Sequence, residues 1–435
     1  MVNLTMNPSL HVEIVKKPHS TANDTYIIGL VNSYLLNFLS LTPGATLKGF
    51  ENYPDIEEHV NSVTICDVDY KTPVQMSKTK LVYHCYTLDA LSPETDTITD
   101  GTSGEELPSA EMWSLPCEEF DGLWASLIYD TKVKEDTLRF VETAFEFSDR
   151  RVDTNLISCN RVVLLHGPPG TGKTSLCKAL AQKLAIRMRD RFPRARLLEI
   201  NSHSLFSKWF SESGKLVFKL FDKILEIVED TELLACVLID EVESLTHARK
   251  AALSGLEPSD SLRVVNAILT QLDRIRRHPN VLVLTTSNVT EAIDVAFVDR
   301  ADIKRYVGPP SQYAAFEILR GCCEELMTRN IVYPHERLFD MKVLKDSNFP
   351  ESDAASPSYL LMEIAKEAAN SEFSARSLRR LPFLARALYS HDKPNLTEFL
   401  HALKMALEQY QFDTTAFNSK DKSDKENQAP ITNGH

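Results

Sequence analysis

The sequence predicts an α/β protein: a phosphate-loop domain built on a parallel sheet, a small helical domain after it and a small α+β domain before it. From about residue 115 to residue 310, apolar strand-like runs alternate with helical segments, which is the pattern of a parallel sheet with helices on both faces. A glycine-rich loop at 167–174 lies between one such strand and a helix. From about 311 to 413 the periodicity is helical. These three observations predict the fold class.

The glycine-rich loop has the composition of a phosphate-binding loop. The apolar run 162–165 precedes it and a helical segment follows it. Its glycines let successive backbone N–H groups turn toward phosphate oxygens, and a helix N-terminus favours negative charge. Lys173 is predicted to reach the β and γ phosphates of ATP, and Thr174 to ligate Mg²⁺. The candidate nucleotide-binding residues here are Gly167, Pro168, Pro169, Gly170, Thr171, Gly172, Lys173, Thr174 and Ser175.

A second apolar run, 235–239, ends in two adjacent carboxylates, Asp240 and Glu241. The carboxyl ends of strands border the ligand crevice of an open α/β sheet, so these charges are predicted to face the nucleotide. Asp240 is expected to hold Mg²⁺ through its water shell, and Glu241 to polarise the attacking water.

Other classes of phosphate-loop protein fit less well. The Asn-Lys-x-Asp motif of a GTPase is absent, residues 253–257 match the ABC signature only in part, and a small-molecule kinase usually lacks a helical domain after its sheet. The adjacent Asp240 and Glu241, and a strand at 281–285 followed by Asn288, favour an AAA+ ATPase. In that arrangement this strand lies beside the phosphate-loop strand, and Asn288 positions the water near the γ-phosphate.

Bulk composition narrows the function classes. The chain has 435 residues, with 43% hydrophobic and 25% charged residues, and a net charge of −13. This acidic balance argues against a protein that coats nucleic acid. Eight cysteines without Cys-x-x-Cys spacing argue against a zinc site or a disulfide framework. We expect no signal peptide, because the first residues lack a basic region and an apolar core, and no membrane-spanning segment.

The domain organisation follows from shifts in composition. Polar and acidic residues rich in Ser and Thr predict a flexible linker between the first two domains, and a polar end low in aromatics predicts a disordered tail. The expected segments are an N-terminal substrate- or adaptor-recognition domain at 1–91, the linker at 92–108, the large ATPase domain at 109–310, a helical lid at 311–413 and the tail at 414–435.

Two arginines are candidates for contact with the nucleotide. Arg300 resembles the arginine finger that an AAA+ subunit supplies to its neighbour's γ-phosphate, although an ion pair with Asp299 or Asp302 of the same chain is an alternative. Arg305 is left open as a second finger. Arg376 resembles the sensor 2 arginine of the lid. Upstream, the segment 119–124 resembles the part that lies over the adenine base, with Phe120 and Leu123 as candidate contacts, and ordinary core packing explains both equally well.

A loop after the second predicted strand resembles the pore loop of protein-remodelling AAA+ rings. It contains Lys208, Trp209 and Phe210. An exposed aromatic side chain can grip an extended polypeptide regardless of its sequence. The charges of Lys208 and Glu212 argue against full burial of this connection between the strand and the following helix. Burial of both aromatic side chains in a core stays an alternative. A second, polar pore loop is expected at 255–261.

Several long stretches together resemble the pachytene checkpoint protein 2 family, also called the thyroid receptor-interacting protein 13 family. They are 161–174, 201–215, 238–245, 297–304 and 380–384. The resemblance implies a homohexameric ATPase that acts with Mg²⁺ on HORMA-domain proteins of the spindle checkpoint and the meiotic chromosome axis. It implies conversion of these clients from the closed to the open form, with a comet-type HORMA adaptor. It also implies a location in the nucleus, at the kinetochore and the meiotic axis, and in the cytoplasm, without direct binding of nucleic acid or membrane.

Other readings stay open at this stage. A DNA-dependent AAA+ ATPase or loader is the first alternative, and the acidic charge and the aromatic pore loop disfavour it. A nucleotide-gated scaffold that does not hydrolyse ATP and a microtubule-severing enzyme are further alternatives. In the tail, Lys425-Glu426-Asn427 resembles a degron read by the anaphase-promoting complex, and a solvated charged tail explains it equally well.

Overall fold

A computed structural model of the chain describes residues 9–66, 74–75, 79–99, 106–201, 213–244, 260–289, 293, 295–346, 356–390 and 392–426. The chain divides into two compact units. The first is drawn from residues 1–127, 132–167 and 173–306. The second is drawn from residues 128–131, 168–172 and 307–435.

The N-terminal part of the first unit is a four-stranded sheet with helix α1 packed beside it. Its elements are β1 (Ser9–Lys16), α1 (Asp24–Leu35), β2 (Ser40–Leu41), β3 (Thr46–Leu47), α2 (Pro54–His59), β4 (Val60–Cys66), β5 (Val74–Gln75) and β6 (Lys80–Thr87). The sheet has the order β3-β4-β1-β6, with β1 antiparallel to β4 and parallel to β6. Helix α1 is capped by Asn23, whose side chain accepts a hydrogen bond from the backbone N–H of Thr25. It buries Ile27, Val31 and Leu35 on one face.

The rest of the first unit is built on a seven-stranded sheet with the order β13-β9-β12-β11-β10-β8-β7. Its elements are β7 (Glu94–Thr99), β8 (Glu106–Leu115), α3 (Leu123–Ser126), α4 (Val133–Asp149), β9 (Val162–His166), α5 (Lys173–Arg187), β10 (Arg194–Asn201), α6 (Ser213–Val228), β11 (Leu233–Asp240), α7 (Asp260–Ile275), β12 (Val281–Ser287), α8 (Val295–Arg300) and β13 (Ile303–Tyr306). The five strands from β13 to β10 are parallel. The predicted fold class is confirmed.

Strand order brings the polar ends of three strands together. Strand β12 pairs with the phosphate-loop strand β9 on one side and with β11 on the other, as the AAA+ arrangement predicts. Every residue of β11 except its last is buried, which is why its sequence is continuously apolar. The carboxyl ends of β9, β11 and β12 therefore lie at one edge of the sheet.

The second unit is a helical domain. Its helices are α9 (Gln312–Thr328), α10 (Met341–Asp346), α11 (Ser356–Asn370), α12 (Ala375–Leu384) and α13 (Leu396–Glu426), with a π-helical turn at Ala385–Tyr389. Ser311 caps α9 and Ser374 caps α12 through their hydroxyl groups. Their buried faces share one apolar core, in which Phe316 and Phe399 are fully buried. The second unit has the helical character that the sequence predicts for the lid.

Two segments differ from the sequence-based expectations. Residues 92–108 were expected to form a flexible linker, but β7 and part of β8 lie there as an antiparallel pair at the edge of the large sheet. The Thr residues that alternate along β7 favour strand backbone. Strand β7 pairs with β8, which in turn pairs with β10, and composition alone does not reveal these partners.

The tail was expected to be disordered from residue 414, but the backbone of α13 is helical as far as Glu426. The helix is already nucleated in the packed core, and each further residue then adds a backbone hydrogen bond at small cost. Lys425 and Glu426 of the degron candidate lie at its end, and Asn427 lies outside the described residues. No helix that the structure describes, α13 included, has the length and apolarity needed to cross a membrane.

A buried polar cluster lies between β1 and α5 in the first unit. The Nζ atom of Lys183 lies 2.6 Å from Oε1 of Glu13, and both side chains are at most 7% exposed. The same ammonium group donates to Sγ of Cys66 at 3.3 Å. Burial opposes ionisation of Glu13, but the attraction of Lys183 outweighs it and holds the carboxyl pKa below its usual value. The pair therefore stays charged inside the protein.

Beside this cluster, the rings of His11 and His84 are stacked with centroids 5.2 Å apart and ring nitrogens 2.9 Å apart. Burial, together with the charge of Arg187, lowers the pKa of His11 to about 3. Burial also lowers the pKa of His84, although Glu13 opposes the shift. The ring of His11 is therefore neutral in the folded protein at pH 5, where an unfolded histidine takes up a proton.

We expect the stability of this region to fall as the pH drops from 7 to 5. The unfolded chain binds more protons than the folded chain below pH ~6.5, so the stability contributed by these histidines is present above that pH and is lost below it. We expect a His11→Asn substitution to remove about 1 kcal/mol of this pH dependence, allowing for partial exposure. Urea midpoints at pH 7 and 5 check this, with a substitution of the exposed His19 as control. Equal pH dependence in both variants would refute it.

Candidate nucleotide site

The glycine-rich loop joins β9 to α5, as predicted. Gly167, Gly170 and Gly172 all have positive φ angles, of 141°, 76° and 93°, which glycine adopts at little cost. Lys173 is 4% exposed, and its Nζ donates to the carbonyl oxygen of Gly167 at 2.9 Å. The loop lysine is thus held against the loop backbone at the first residue of α5.

Thr174 and Asp240 meet at the carboxyl edge of the sheet. The Oγ1 of Thr174 donates to Oδ1 of Asp240 at 2.9 Å. The hydroxyl of Thr286, at the end of β12, donates to the same carboxylate oxygen. The sequence reasoning missed Thr286, although the polar residues that close the apolar run of β12 were a signal for it.

Glu241 and Asn288 are brought together beside this group. Nδ2 of Asn288 donates to Oε1 of Glu241 at 3.2 Å. Glu241 has a φ of 57°, which is rare for a residue other than glycine and typical of strained functional positions. Its backbone N–H donates to Oγ1 of Thr286 at 3.2 Å. Buried Glu243, which the sequence reasoning also missed, accepts from the backbone N–H of Asn288 at 3.1 Å.

The structure places both candidate finger arginines in ion pairs within the first unit. The guanidinium group of Arg300 binds the carboxylate of Asp273 with N–O distances of 3.0 and 2.8 Å. Arg305 lies 3.5 Å from Asp136, and both of those side chains are about 42–43% exposed. Both arginines are thus held by carboxylates of their own chain, and the partner of Arg300 is Asp273 instead of the adjacent Asp299 or Asp302.

In the second unit, the start of α12 lies against residues of the phosphate loop that belong to the same unit. The backbone N–H of Arg376 donates to the carbonyl oxygen of Gly170 at 3.0 Å. A Cβ atom at Gly170 would lie 2.8 Å from Oγ of Ser374, so this position needs glycine for space as well as for its backbone. Arg376, the candidate sensor 2 residue, is exposed.

The two candidate adenine contacts lie near the start of α3. Phe120 is 4% exposed and packs on Trp113 with ring centroids 5.6 Å apart. Lys178 places its Nζ 4.6 Å from the centre of the Trp113 ring and 2.6 Å from Oε2 of Glu199. Leu123 is half-buried. The position of Phe120 is explained by packing, which the sequence reasoning kept as an alternative.

Three predicted site residues belong to the candidate pore loop. Lys208, Trp209 and Phe210 lie outside the described residues, as does most of the second pore-loop candidate at 255–261. Their assignment to a pore stays a prediction.

Three family models match the chain. The model "ATPase family associated with various cellular activities (AAA)" matches residues 163–309, the model of the TRIP13-like AAA+ ATPase lid C-terminal domain matches 311–411, and that of the TRIP13 N-terminal domain matches 5–90. Pachytene checkpoint protein 2 homolog of Danio rerio is 51% identical over 403 residues, which cover 92% of this chain and 94% of that protein. The homolog of Homo sapiens is 49% identical over 408 residues, with 92% and 93% covered.

The chain belongs to the pachytene checkpoint protein 2 family of AAA+ ATPases. As a member of this family, it binds nucleotide and hydrolyses ATP. The solved structure of C. elegans PCH-2 has a TM-score of 0.76 and 34% identity, and the match covers 93% of this chain and 99% of that one. A chain in the E. coli MS115-1 HORMA:CdnC:Trip13 complex has a TM-score of 0.51 at 18% identity, which shows a shared fold.

Proposed function

We propose that this protein is an ATP-driven remodeller that assembles as a homohexameric ring and converts HORMA-domain proteins from the closed to the open form. A comet-type adaptor would present the client to the N-terminal part of the chain. The family supports this proposal, and a protein of the same fold is named in a complex with a HORMA protein. A meiotic client fits the name of the relatives, pachytene checkpoint protein 2 homolog. Spindle-checkpoint clients, and a location in the nucleus and the cytoplasm, are proposed from the family resemblance of the sequence.

One observation carries the hydrolytic part of the proposal. Glu241 and Asn288 are hydrogen-bonded to each other at the same sheet edge where Asp240 meets Thr174. A carboxylate and an amide that both contact one water molecule can orient it and draw away its proton. A scaffold that only binds nucleotide has no need of this pair.

The residues present fit Mg²⁺. The hydroxyl of Thr174 and the carboxylate of Asp240 are oxygen ligands of the kind that Mg²⁺ prefers, and Mg²⁺ usually keeps waters and binds phosphate oxygens as well. In this proposal Thr174 would hold the ion directly and Asp240 would hold it through water. When bound, the ion neutralises charge that develops on the phosphates.

The chain's own residues have distinct roles in the proposed reaction. Lys173 binds the β and γ phosphates, in place of its present contact with Gly167. Glu241 accepts the proton of the attacking water, and Asn288 holds that water in line. Arg300 of one subunit stabilises charge on the neighbour's γ-phosphate, and Arg376 contacts the bound nucleotide from the lid.

A direct test measures ATP turnover with purified HORMA-domain protein, with and without a comet-type adaptor. We expect turnover to rise several-fold when both are present, because a client in the pore couples to the nucleotide cycle. Conversion of the client can be followed by ion-exchange separation of its two forms. Stimulation by DNA, with no response to the HORMA protein, would instead favour a DNA-dependent ATPase or loader.

We expect Trp209→Ala to lower client conversion at least tenfold while basal ATP turnover changes less than twofold. In the proposed ring, Trp209 supplies the apolar surface that grips the client, and its loss removes the grip without touching the nucleotide. Trp209→Phe keeps an aromatic ring and should retain most of the conversion. Full conversion by the alanine variant would reject the gripping role.

A further inference from the structure

Arg300 is held by a network that reaches back to the start of the phosphate-loop strand. Its Nε and Nη2 donate to the two carboxylate oxygens of Asp273, and its Nη1 donates to the carbonyl oxygen of Ala296 at 2.8 Å. Asp273 also binds Arg276, at 3.1 Å. Arg276 in turn donates to Oδ1 of Asn160, at 2.7 Å. The carboxylate that holds Arg300 is therefore itself fixed in place.

We propose that Asp273 is a positioning residue that orients Arg300 for the γ-phosphate of the neighbouring subunit. This inference rests on the proposed function, in which Arg300 acts in trans. Arg300 is the last residue of α8, a helix of only six residues. A long arginine side chain at such a place loses rotamer freedom when it is ordered. The forked contact with Asp273 orders it before the neighbour's nucleotide arrives.

The geometry favours positioning over sequestration. A carboxylate that binds Nε and Nη2 occupies one edge of the planar guanidinium group, and arginine has more N–H donors than one carboxylate can accept. The same group can therefore serve phosphate oxygens while Asp273 keeps its orientation. Asp273 and Arg300 are 29% and 26% exposed, so water reaches the ion pair. When Arg300 shifts contacts from Asp273 to a phosphate, neither charge is left buried without a partner.

The test uses mixed rings of the full-length protein. Asp273→Ala alone is expected to lower kcat about tenfold with the KM for ATP nearly unchanged, because the defect lies in the finger and not in the subunit's own site. Mixing it with Glu241→Gln subunits, which supply an intact Arg300 and Asp273 but do not hydrolyse, should raise turnover per Asp273→Ala subunit at least threefold. Turnover of Arg300→Ala subunits mixed with the same Glu241→Gln subunits is measured for comparison.

The matched control is Asp222→Ala on α6, which breaks an exposed pair with Arg274, the residue after Asp273 on α7, and should leave kcat unchanged. If Asp273→Ala does not fold, Asp273→Asn keeps the shape and one acceptor oxygen, and its kcat should fall to an intermediate value. Unchanged or raised turnover in a folded Asp273 variant would overturn the proposal. So would rescue of Arg300→Ala in mixed rings without rescue of Asp273→Ala. Rescue of neither variant would reject the trans role of Arg300 in the proposed function, and this inference with it.

Discussion

A Glu241→Gln substitution should lower ATP turnover by a factor of about 10²–10⁴ while leaving ATP binding intact, which is the range attributed to a positioned proton acceptor. The amide keeps the size of the side chain and can still hydrogen-bond to Asn288, whose Nδ2 now lies 3.2 Å from Oε1 of Glu241. It can no longer accept a proton from water. We therefore expect ATP to accumulate on the protein, and the HORMA client with it.

Two measurements distinguish a loss of ATP hydrolysis from a loss of ATP binding. Equilibrium binding of a fluorescent ATP analogue should give the same Kd for Glu241→Gln as for the unsubstituted protein, and single-turnover hydrolysis should be slow. The control is Lys173→Ala, because it removes the residue that contacts the phosphates and should abolish binding itself. Normal single-turnover hydrolysis by Glu241→Gln would show that another group accepts the proton.

The sequence predicts which polar groups of the candidate nucleotide site lie together because the parts of the site are local and ordered along the chain. A buried strand followed directly by a glycine loop or by Asp240 indicates where the polar groups lie. The order β9-β12-β11 in the sheet then places Asn288 beside Glu241. Thr286 and Glu243 were missed because each is a common residue whose role depends on a neighbour from another strand.

Contacts between residues distant in sequence could not be predicted where no known strand order brings them together. The salt bridge between Asp273 and Arg300 joins two helices, and nothing in either segment alone selects the partner. The sequence predicts a linker where β7 and the start of β8 lie, since the polar residues there resemble those of a loop. The strands form because β7 pairs with β8 and β8 pairs with β10. The buried pair of Glu13 and Lys183 has the same origin, because β1 and α5 lie far apart along the chain.

A Glu13→Ala substitution should destabilise the first unit by about 3–5 kcal/mol, the range measured when one partner of a buried ion pair is removed. It leaves the ammonium group of Lys183 buried with the thiol of Cys66 and the guanidinium group of Arg187 nearby, and neither offers a negative charge at neutral pH. The exposed pair of Glu146 and Arg150 is the matched control. Removing Glu146 should cost about 0.3–0.5 kcal/mol.

The double variant Glu13→Met with Lys183→Met decides what the pair does. If its role is only to satisfy two charges, replacing both with apolar residues of similar length should recover most of the stability lost by Glu13→Ala. Free energies of unfolding of Glu13→Met, Lys183→Met and the double variant, from urea unfolding, give the coupling energy of the pair. Equal midpoints for Glu13→Ala and the Glu146→Ala control would contradict burial of the pair. Lys183 lies on α5, the helix that begins at the phosphate-loop residue Lys173. A double variant that is stable but has an altered affinity for ATP would therefore show that β1 and the nucleotide loop are coupled through this helix.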